Sequence, residues 1–544
     1  MSFCNSRSLL HWNRGRNNRE GVFSRAGTIA AAYGRFHVAG VLFAVLGGCA
    51  SIDFDYPRVE STAPLDTDVT LLGSKLAELV ASKPEAESGF YPLQDGIDAL
   101  SVRLLLAQQA ERTIDTQYYL IKTDQTSFAF IDALLQAADR GVRVRLLLDD
   151  MFTKGYDPGM AALDSHLNFS IRIFNPYNRG AMGKVYSGTT NLSRVNRRMH
   201  TKSFTADNQV TVLGGRNIAD EYFGAREDAK FGDLDVVGIG SIAKGVSRMF
   251  DSFWNHETAL PLPAFAKMPE DPAAELEKLR VRMKASRQQI ERSQYAGAVI
   301  TRELEFLGKD IDVLGWAPYK LVYDSPDKGI KSKSGPSIAI TMPLREALQS
   351  AEKELIVLSP YFVPRKTGIE FFSELQARGV KVTIITNSLA ANNHATVHGG
   401  YAPSRKPLLR NGIRLYEVRP DADVPGAENF AAAGARATMH TKAFLVDRKE
   451  VFIGSFNFDP RSANLNTESG VIIRSERMAR QFGDLVDSRL KRQTYEVFLD
   501  EDGNLRWRGF HDGEEVIYKK EPEATWGQRF AAGFMRIMPV KGQL

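Results

Sequence analysis

Two stretches of this chain repeat one set of reactive side chains at one spacing. Residues 199–217 read MHTKSFTADNQVTVLGGRN and residues 439–457 read MHTKAFLVDRKEVFIGSFN. His200, Lys202, Asp207 and Asn217 therefore recur, 240 residues later, as His440, Lys442, Asp447 and Asn457. A pair of histidines suits an attacking nucleophile and a general acid. A pair of lysines supplies point charges for an anionic phosphate, and two asparagine amides add neutral donors. Glycines just before each asparagine let the backbone approach a ligand closely. Every part comes twice, as one site astride a twofold axis demands. The predicted chemistry is nucleophilic displacement at phosphorus. With lysines in the Lewis-acid role it calls for no metal and no other cofactor.

Elements must bring these groups together. Alternation around each motif predicts a strand carrying His and Lys on one face, because residues i and i+2 point the same way. A second strand, 209–213 or 450–453, returns the glycine and asparagine beside them. Upstream, residues 133–150 (ALLQAADRGVRVRLLLDD) match residues 371–388 (FFSELQARGVKVTIITNS). Each predicts an amphipathic helix, a closing glycine (Gly141, Gly379) and a buried strand. Strands before and after them also match: 113–120 ends in Tyr118-Tyr119 and 355–363 contains Tyr361, while 171–174 pairs with 413–416. The pattern predicts two α/β domains related by a pseudo-twofold axis.

The paired motifs resemble those of the phospholipase D superfamily, and the likeness runs from about Tyr91 to Leu544. Its bacterial cardiolipin-forming members are the nearest in pattern, through RGVRVRLLLDD (140–150), NRRMHTKSF (196–204), GGRNIADEYFG (214–224), TNSLAANNHATVHGGYA (386–402) and GSFNFDPRSANLNTESG (454–470). The resemblance implies two phospholipase D-like α/β sandwich domains. It implies that one histidine forms a phosphohistidine while the other protonates the leaving alcohol, leaning to His200 as nucleophile and His440 as acid. Lys202, Lys442, Asn217 and Asn457 would hold the equatorial oxygens. Gly215 stands where the second copy has Ser455, which makes a hydroxyl contact to phosphate one-sided. By matched position, Glu468 and its first-half counterpart Asp233 (ESGVII against DLDVVG) orient catalytic imidazoles and fix their tautomer. Asp207 and Asp447 complete the catalytic motif but are expected to brace loops rather than touch phosphate. His398, Tyr401 and Arg405 fall in a matching stretch and are implied as headgroup contacts. The implied reaction joins phosphatidylglycerol to a second phospholipid, releasing ethanolamine when phosphatidylethanolamine is the donor. One phosphodiester replaces another, so no nucleoside triphosphate is needed, and no G-x-x-x-x-G-K-[ST] loop appears. A lipid hydrolase or a nuclease would use the same motifs with a different acceptor. A non-catalytic lipid-binding protein is disfavoured by two intact sets.

The 544 residues carry 70 Lys and Arg against 65 Asp and Glu, a formal charge of +5. Residues 1–48 hold six arginines and one glutamate, which is the whole excess. The basic surplus is thus a targeting feature, not the footprint of nucleic acid, and no nucleic-acid partner is expected. After it come an apolar run, residues 38–46, and Leu46-Gly47-Gly48-Cys49. The run is about half the ~20 residues of a membrane span. The order resembles a bacterial lipoprotein signal with Cys49 as the lipidated residue, each buried methylene contributing about 0.8 kcal/mol. This predicts an anchored lipoprotein on the non-cytoplasmic side of a membrane, with Ala50 favouring the outer membrane. Two cysteines, Cys4 and Cys49, exclude a disulfide scaffold.

The expected division is signal 1–48, tether or N-terminal arm 49–92, first domain 93–260, charged helical connector 261–340, second domain 341–500 and C-terminal segment 501–544. In the last, Trp526, Phe530, Phe534 and Ile537 share a helical face that would either lie in a membrane interface or pack on the second domain. Gly238-x-Gly240 superficially fits a dinucleotide fingerprint, but the second repeat lacks the glycines, so a strand-to-helix turn is expected. His394 and His398 at i, i+4 lack a third metal ligand and are read as a polar loop.

Overall fold

The computed structural model describes residues 52–537 apart from 154, 180–191, 227, 291, 309–312, 331–337, 424–434 and 512. The expected signal segment and Cys49 lie outside the described residues.

Strands of the first half are β1 (Glu87–Leu93), β2 (Thr113–Tyr118), β3 (Arg143–Asp149), β4 (Phe169–Phe174), β5 (Ser203–Ala206), β6 (Val210–Gly214), β7 (Ala229–Gly232), β8 (Asp235–Gly240) and β9 (Ala259–Pro261). A bridging strand, β10 (Gly315–Tyr323), follows. The second half carries β11 (Glu354–Leu358), β12 (Lys381–Asn387), β13 (Arg414–Val418), β14 (Arg436–Met439), β15 (Ala443–Val446), β16 (Glu450–Gly454), β17 (Ser469–Arg474), β18 (Thr494–Leu499), β19 (Leu505–His511) and β20 (Glu514–Tyr518).

Pairing runs β9-β4-β3-β2-β5-β6-β8-β1 in the first half and β10-β17-β16-β15-β11-β12-β13-β18-β19-β20 in the second. The two series join where β1 and β10 pair antiparallel, Gly89 opposite Trp316. An antiparallel junction between equivalent strands is what a twofold axis through the sheet produces. The parallel strands β3 (RVRLLLD) and β12 (KVTIITN) are almost wholly buried, so they read as near-continuous apolar runs. Before each, a helix (Gln125–Asp139, Arg365–Ala377) ends at Gly141 or Gly379, with φ of 96° and 90°. No atom crowds either position, so the left-handed backbone alone selects glycine.

Three apolar clusters hold the body together. One fills the first half (Leu100, Phe130, Leu146, Phe204) and one the second (Phe372, Ile384, Phe444, Tyr495). The third lies between the halves, where helices Ser241–Trp254 and Glu476–Gln493 contribute Met249, Phe250, Met478 and Phe482. Each such side chain withdrawn from water stabilises by roughly 1.5–3 kcal/mol. As expected, β8 turns directly into a helix at Gly240, φ 85°.

Of the two readings of residues 52–92, the segment is an arm docked on the body. The chain there is held by Ala63 N–H on Asp251 Oδ2 (3.0 Å) and by Arg145 and Arg172 donating to the carbonyls of Ser61 (2.7 Å) and Val59 (2.5 Å). Buried guanidinium groups need acceptors, and this arm's backbone provides them. It ends in helix Leu71–Ala81, capped by Thr70, and in β1 itself. The charged connector is docked as well. Helices Pro272–Ile290 and Gln294–Gly308 bury Leu276, Leu279, Met283, Tyr295 and Val299 in the first-half core and turn their charges outward. No helix among the described residues is long and apolar enough to cross a membrane.

Candidate active site

Each motif folds as a hairpin, β5–β6 and β15–β16. The turn residues Asp207-Asn208 and Asp447-Arg448 all have φ near +50°. Asp and Asn tolerate this conformation better than most residues. The Asp207 carboxylate accepts from the amides of Arg112 (2.8 Å) and Thr113 (3.0 Å), and Asp447 from Lys353 and Glu354 (both 2.8 Å). The motif aspartates therefore pin the hairpins to the starts of β2 and β11. They sit at the opposite end of the hairpin from the histidines, in the bracing position expected of them rather than among the reacting groups.

Histidine placement depends on pairing between the halves. Strand β14 runs parallel to β7 with Met439 opposite Gly232, and His440 N–H donates to the Gly232 carbonyl (2.6 Å). The next residue, Asp233, meets His440 Nδ1 at 2.5 Å. In the other copy a parallel bridge joins Met199 to Thr467, and His200 N–H donates to the Thr467 carbonyl (2.9 Å). Glu468 then meets His200 Nδ1 at 2.8 Å. Each imidazole thus takes its carboxylate from the opposite half. A carboxylate at Nδ1 accepts the ring proton there and leaves the lone pair on Nε2.

Both histidines and both lysines are buried. Lys202 Nζ donates to the His200 carbonyl and Lys442 Nζ to the His440 carbonyl, each at 2.5 Å, and Lys442 Nζ lies 2.9 and 3.1 Å from the His440 ring nitrogens. Burial lowers His200 to about 4 and His440 to about 3, the lysine charges adding to the shift. Burial also brings Lys202 down to about 7 and Lys442 to about 8. For Glu468, burial works upward, but His200, Lys202 and the Ser455 hydroxyl outweigh it and hold the carboxyl at about 2. Asp233 is likewise lowered, with His440 and Lys442 overcoming burial. At neutral pH the site holds neutral imidazoles, ionised carboxylates and ammonium groups on the edge of losing their protons. An entering anion would stabilise the charged lysines.

Asn217 donates to Tyr222 (3.1 Å), and the Oδ1 atoms of Asn217 and Asn457 are buried with no hydrogen-bond partner among the described residues. Turning either amide over would present its NH2 at that position instead. The Ser455 hydroxyl donates to Glu468 Oε2 (2.5 Å) and accepts from Ser469 N–H (3.0 Å), so it supports the carboxylate. A Cβ at Gly215 would sit 2.2 Å from Asp233 Oδ1, so the first copy has no room for serine.

His398, Tyr401 and Arg405 are not headgroup contacts: all three are buried in a closed polar network. Arg405 bridges Glu417 and Glu521 (both 2.7 Å), Tyr401 donates to Glu417 (2.9 Å), and His398 Nε2 meets Glu521 at 2.9 Å. Glu521 comes from the C-terminal segment, which the local pattern around His398 could not indicate. His394 lies apart from this network, against Tyr361 (5.7 Å between centroids).

Other residues were missed. Tyr119 packs edge-on to His200, and Tyr222 edge-on to His440, each at 5.1 Å. Asp149 accepts from Met199 N–H (2.8 Å) and Asn387 from Met439 N–H (2.9 Å), fixing the residue before each histidine. Their sequence signal was the matched strand ends LLLDD and IITNS. Ser462 adds a hydroxyl on Glu468 Oε1 (2.8 Å). At the C-terminus, helix Trp526–Ile537 exposes Trp526, Phe530 and Phe534 as a stacked aromatic ridge, while Ala532 is buried. The aromatic face is thus not the packed one.

The family described as “Cardiolipin synthase, PLD-like domain” matches residues 104–254 and 344–489. The chain is 38% identical over 486 residues to cardiolipin synthase C of Escherichia coli strain K12, covering 86% of this chain and 99% of that one. It is 28% identical over 504 residues to an uncharacterized protein of Helicobacter pylori, covering 90% and 96%. Among solved structures, phosphatidylserine synthase of Haemophilus influenzae superposes with a TM-score of 0.51 at 13% identity, covering 78% of this chain and 91% of that one. That likeness is one of fold.

Proposed function

The chain belongs to the cardiolipin synthase family of phospholipase D-like proteins, and on that footing we propose that it joins phosphatidylglycerol to a second phospholipid through a phosphohistidine. The observation that carries this reading is the pair of buried imidazoles, each tied at Nδ1 to a carboxylate, beside two lysines. In the first step His200 Nε2 attacks the donor phosphorus. A P–N bond forms, the P–O bond to the leaving alcohol breaks, and His440 gives its proton to that oxygen. In the second step His440 takes the proton of the acceptor hydroxyl as its oxygen displaces the histidine. Lys202, Lys442 and the amides of Asn217 and Asn457 carry the equatorial oxygens throughout. His440 is neutral at rest, and the proton it needs is favoured once the phosphodiester's negative charge sits beside it. The two imidazoles act on one phosphorus and titrate as a pair.

The membrane surface is the second element of the reading. The aromatic ridge Trp526–Phe530–Phe534 suits a headgroup boundary, and a lipidated Cys49 would add an anchor. The test is to incubate detergent-solubilised protein with phosphatidylglycerol, with and without phosphatidylethanolamine, and analyse the lipids by mass spectrometry. Cardiolipin is expected from the wild type and from neither His200→Ala nor His440→Ala. Phosphatidic acid as sole product would make the protein a hydrolase, and cleavage of single-stranded DNA without lipid turnover would make it a nuclease.

A further inference from the structure

A cavity of about 390 Å³ opens in the first half, with Tyr119, the neighbour of His200, in its wall. Tyr119, Phe128, Leu148, Phe152, Met160 and Leu163 line it. Tyr119 is the wall shared with the site: its ring lies 5.1 Å from His200 and 5.5 Å from Phe152. Phe152 itself is 47% exposed, and Met160 and Leu163, which also line the cavity, are each 6% exposed. The volume falls in the range of small-molecule sites, and the lining is predominantly apolar.

The matching place in the second half carries different side chains. At the 238-residue offset that aligns Gly141 with Gly379, Met160 and Leu163 correspond to His398 and Tyr401, and Phe152 to Ala390. Helix Asp157–Asp164 corresponds in the same way to helix Ala395–Tyr401. In the second half this place is filled by the Arg405–Glu417–Glu521 network. On the His440 side Tyr361 lies 6.5 Å from the imidazole, donates to Asn393 (3.0 Å) and packs against His394. The duplicated site is therefore symmetric at its reacting groups and asymmetric just beyond them.

We propose that this cavity is an acyl-chain subsite, taking one fatty-acyl chain of the phospholipid whose phosphate rests between the two imidazoles. The inference rests on the phosphatidyltransferase reading and gives it a direction. The diacylglycerol portion lies on the His200 side, behind Tyr119 and Phe152. The leaving headgroup then faces His440 and the polar group of Tyr361, Asn393 and His394. An alkyl chain is the ligand this lining recognises, because each methylene withdrawn from water strengthens binding about fourfold.

The test uses the full chain in mixed detergent micelles and phosphatidylglycerol carrying a diazirine near the end of one acyl chain. After photolysis, label is expected on peptides containing Phe152, Met160 or Leu163, and unlabelled long-chain lipid should suppress it better than dihexanoyl lipid. In parallel, Met160→Trp should lower the ratio of kcat/KM for long-chain over dihexanoyl phosphatidylglycerol about tenfold, the effect of losing roughly two buried methylenes. Thermal unfolding of Met160→Trp accompanies the assay, and the cross-link on wild type decides if that variant does not fold. Lipid turnover with label confined elsewhere, for instance to residues 526–534, overturns the subsite alone. Label in the cavity without phosphatidyl transfer supports the subsite and overturns the transferase reading. Neither label nor turnover overturns both.

Discussion

Gly215 and Ser455 occupy the same place in the two motifs, and the carboxylate facing each explains the difference. Asp233 is one methylene shorter than Glu468, so its carboxylate fills the space a side chain at 215 would take. Glu468 reaches its histidine from further away and is steadied by the hydroxyls of Ser455 and Ser462. Gly215→Ser should therefore displace Asp233 and reduce kcat by about 10²–10⁴-fold, as loss of general acid–base function does. The effect should match that of Asp233→Asn, measured by cardiolipin formation at saturating lipid. Glu468→Gln is expected to fall in the same range, but through His200, so it should slow labelling of the phosphohistidine itself. The lysines give a pH dependence. Their values of about 7 and 8 lie below the ordinary lysine range, so the charged form persists only below them. Affinity for the phosphodiester should be full on the acid side of pH 7 and lost as pH rises through 7 to 8. Lys202→Arg, which keeps its charge, should move that alkaline limb of kcat/KM upward. An unmoved limb would assign it to another group.

At the scale of elements, two short parallel contacts decide the chemistry. The β7–β14 pair and the Met199–Thr467 bridge are only a few residues long, yet they set which carboxylate faces which imidazole. The hairpins carrying the motifs were legible in the sequence because turn residues and alternation are local. The crossing was not, because it joins segments more than 200 residues apart and leaves no periodic trace. The C-terminal helix shows the same division. Its aromatic stripe could be read from spacing, but which side packs depended on what lay beneath it. With Trp526, Phe530 and Phe534 outward, replacing all three by serine should abolish co-flotation with anionic liposomes. The melting temperature should stay within a few degrees, since exposed positions contribute within about 0.5 kcal/mol. Undiminished flotation would remove the ridge from the membrane reading.

For the whole molecule, the shared site makes the two halves interdependent. Each half lacks the carboxylate its own histidine needs, so neither should act alone. Both halves belong to one chain, so mixing His200→Ala with His440→Ala protein should restore no cardiolipin synthesis, and recovery would show exchange of halves between molecules. At the N-terminus the lipoprotein reading predicts that Cys49→Ala leaves the precursor uncleaved in membranes, judged by its size on a gel. Normal processing of that variant would remove the lipid anchor. The sequence by itself determined the duplication, the histidine, lysine and asparagine sets, and the hairpins that display them, since these follow from residue type and short-range spacing. Only the tertiary structure decided that the carboxylates cross, that His398, Tyr401 and Arg405 are sealed beneath Glu521, and that a cavity opens behind Tyr119. Those outcomes turn on which distant segments cover a given side chain, and burial by a distant segment is not encoded in any local pattern.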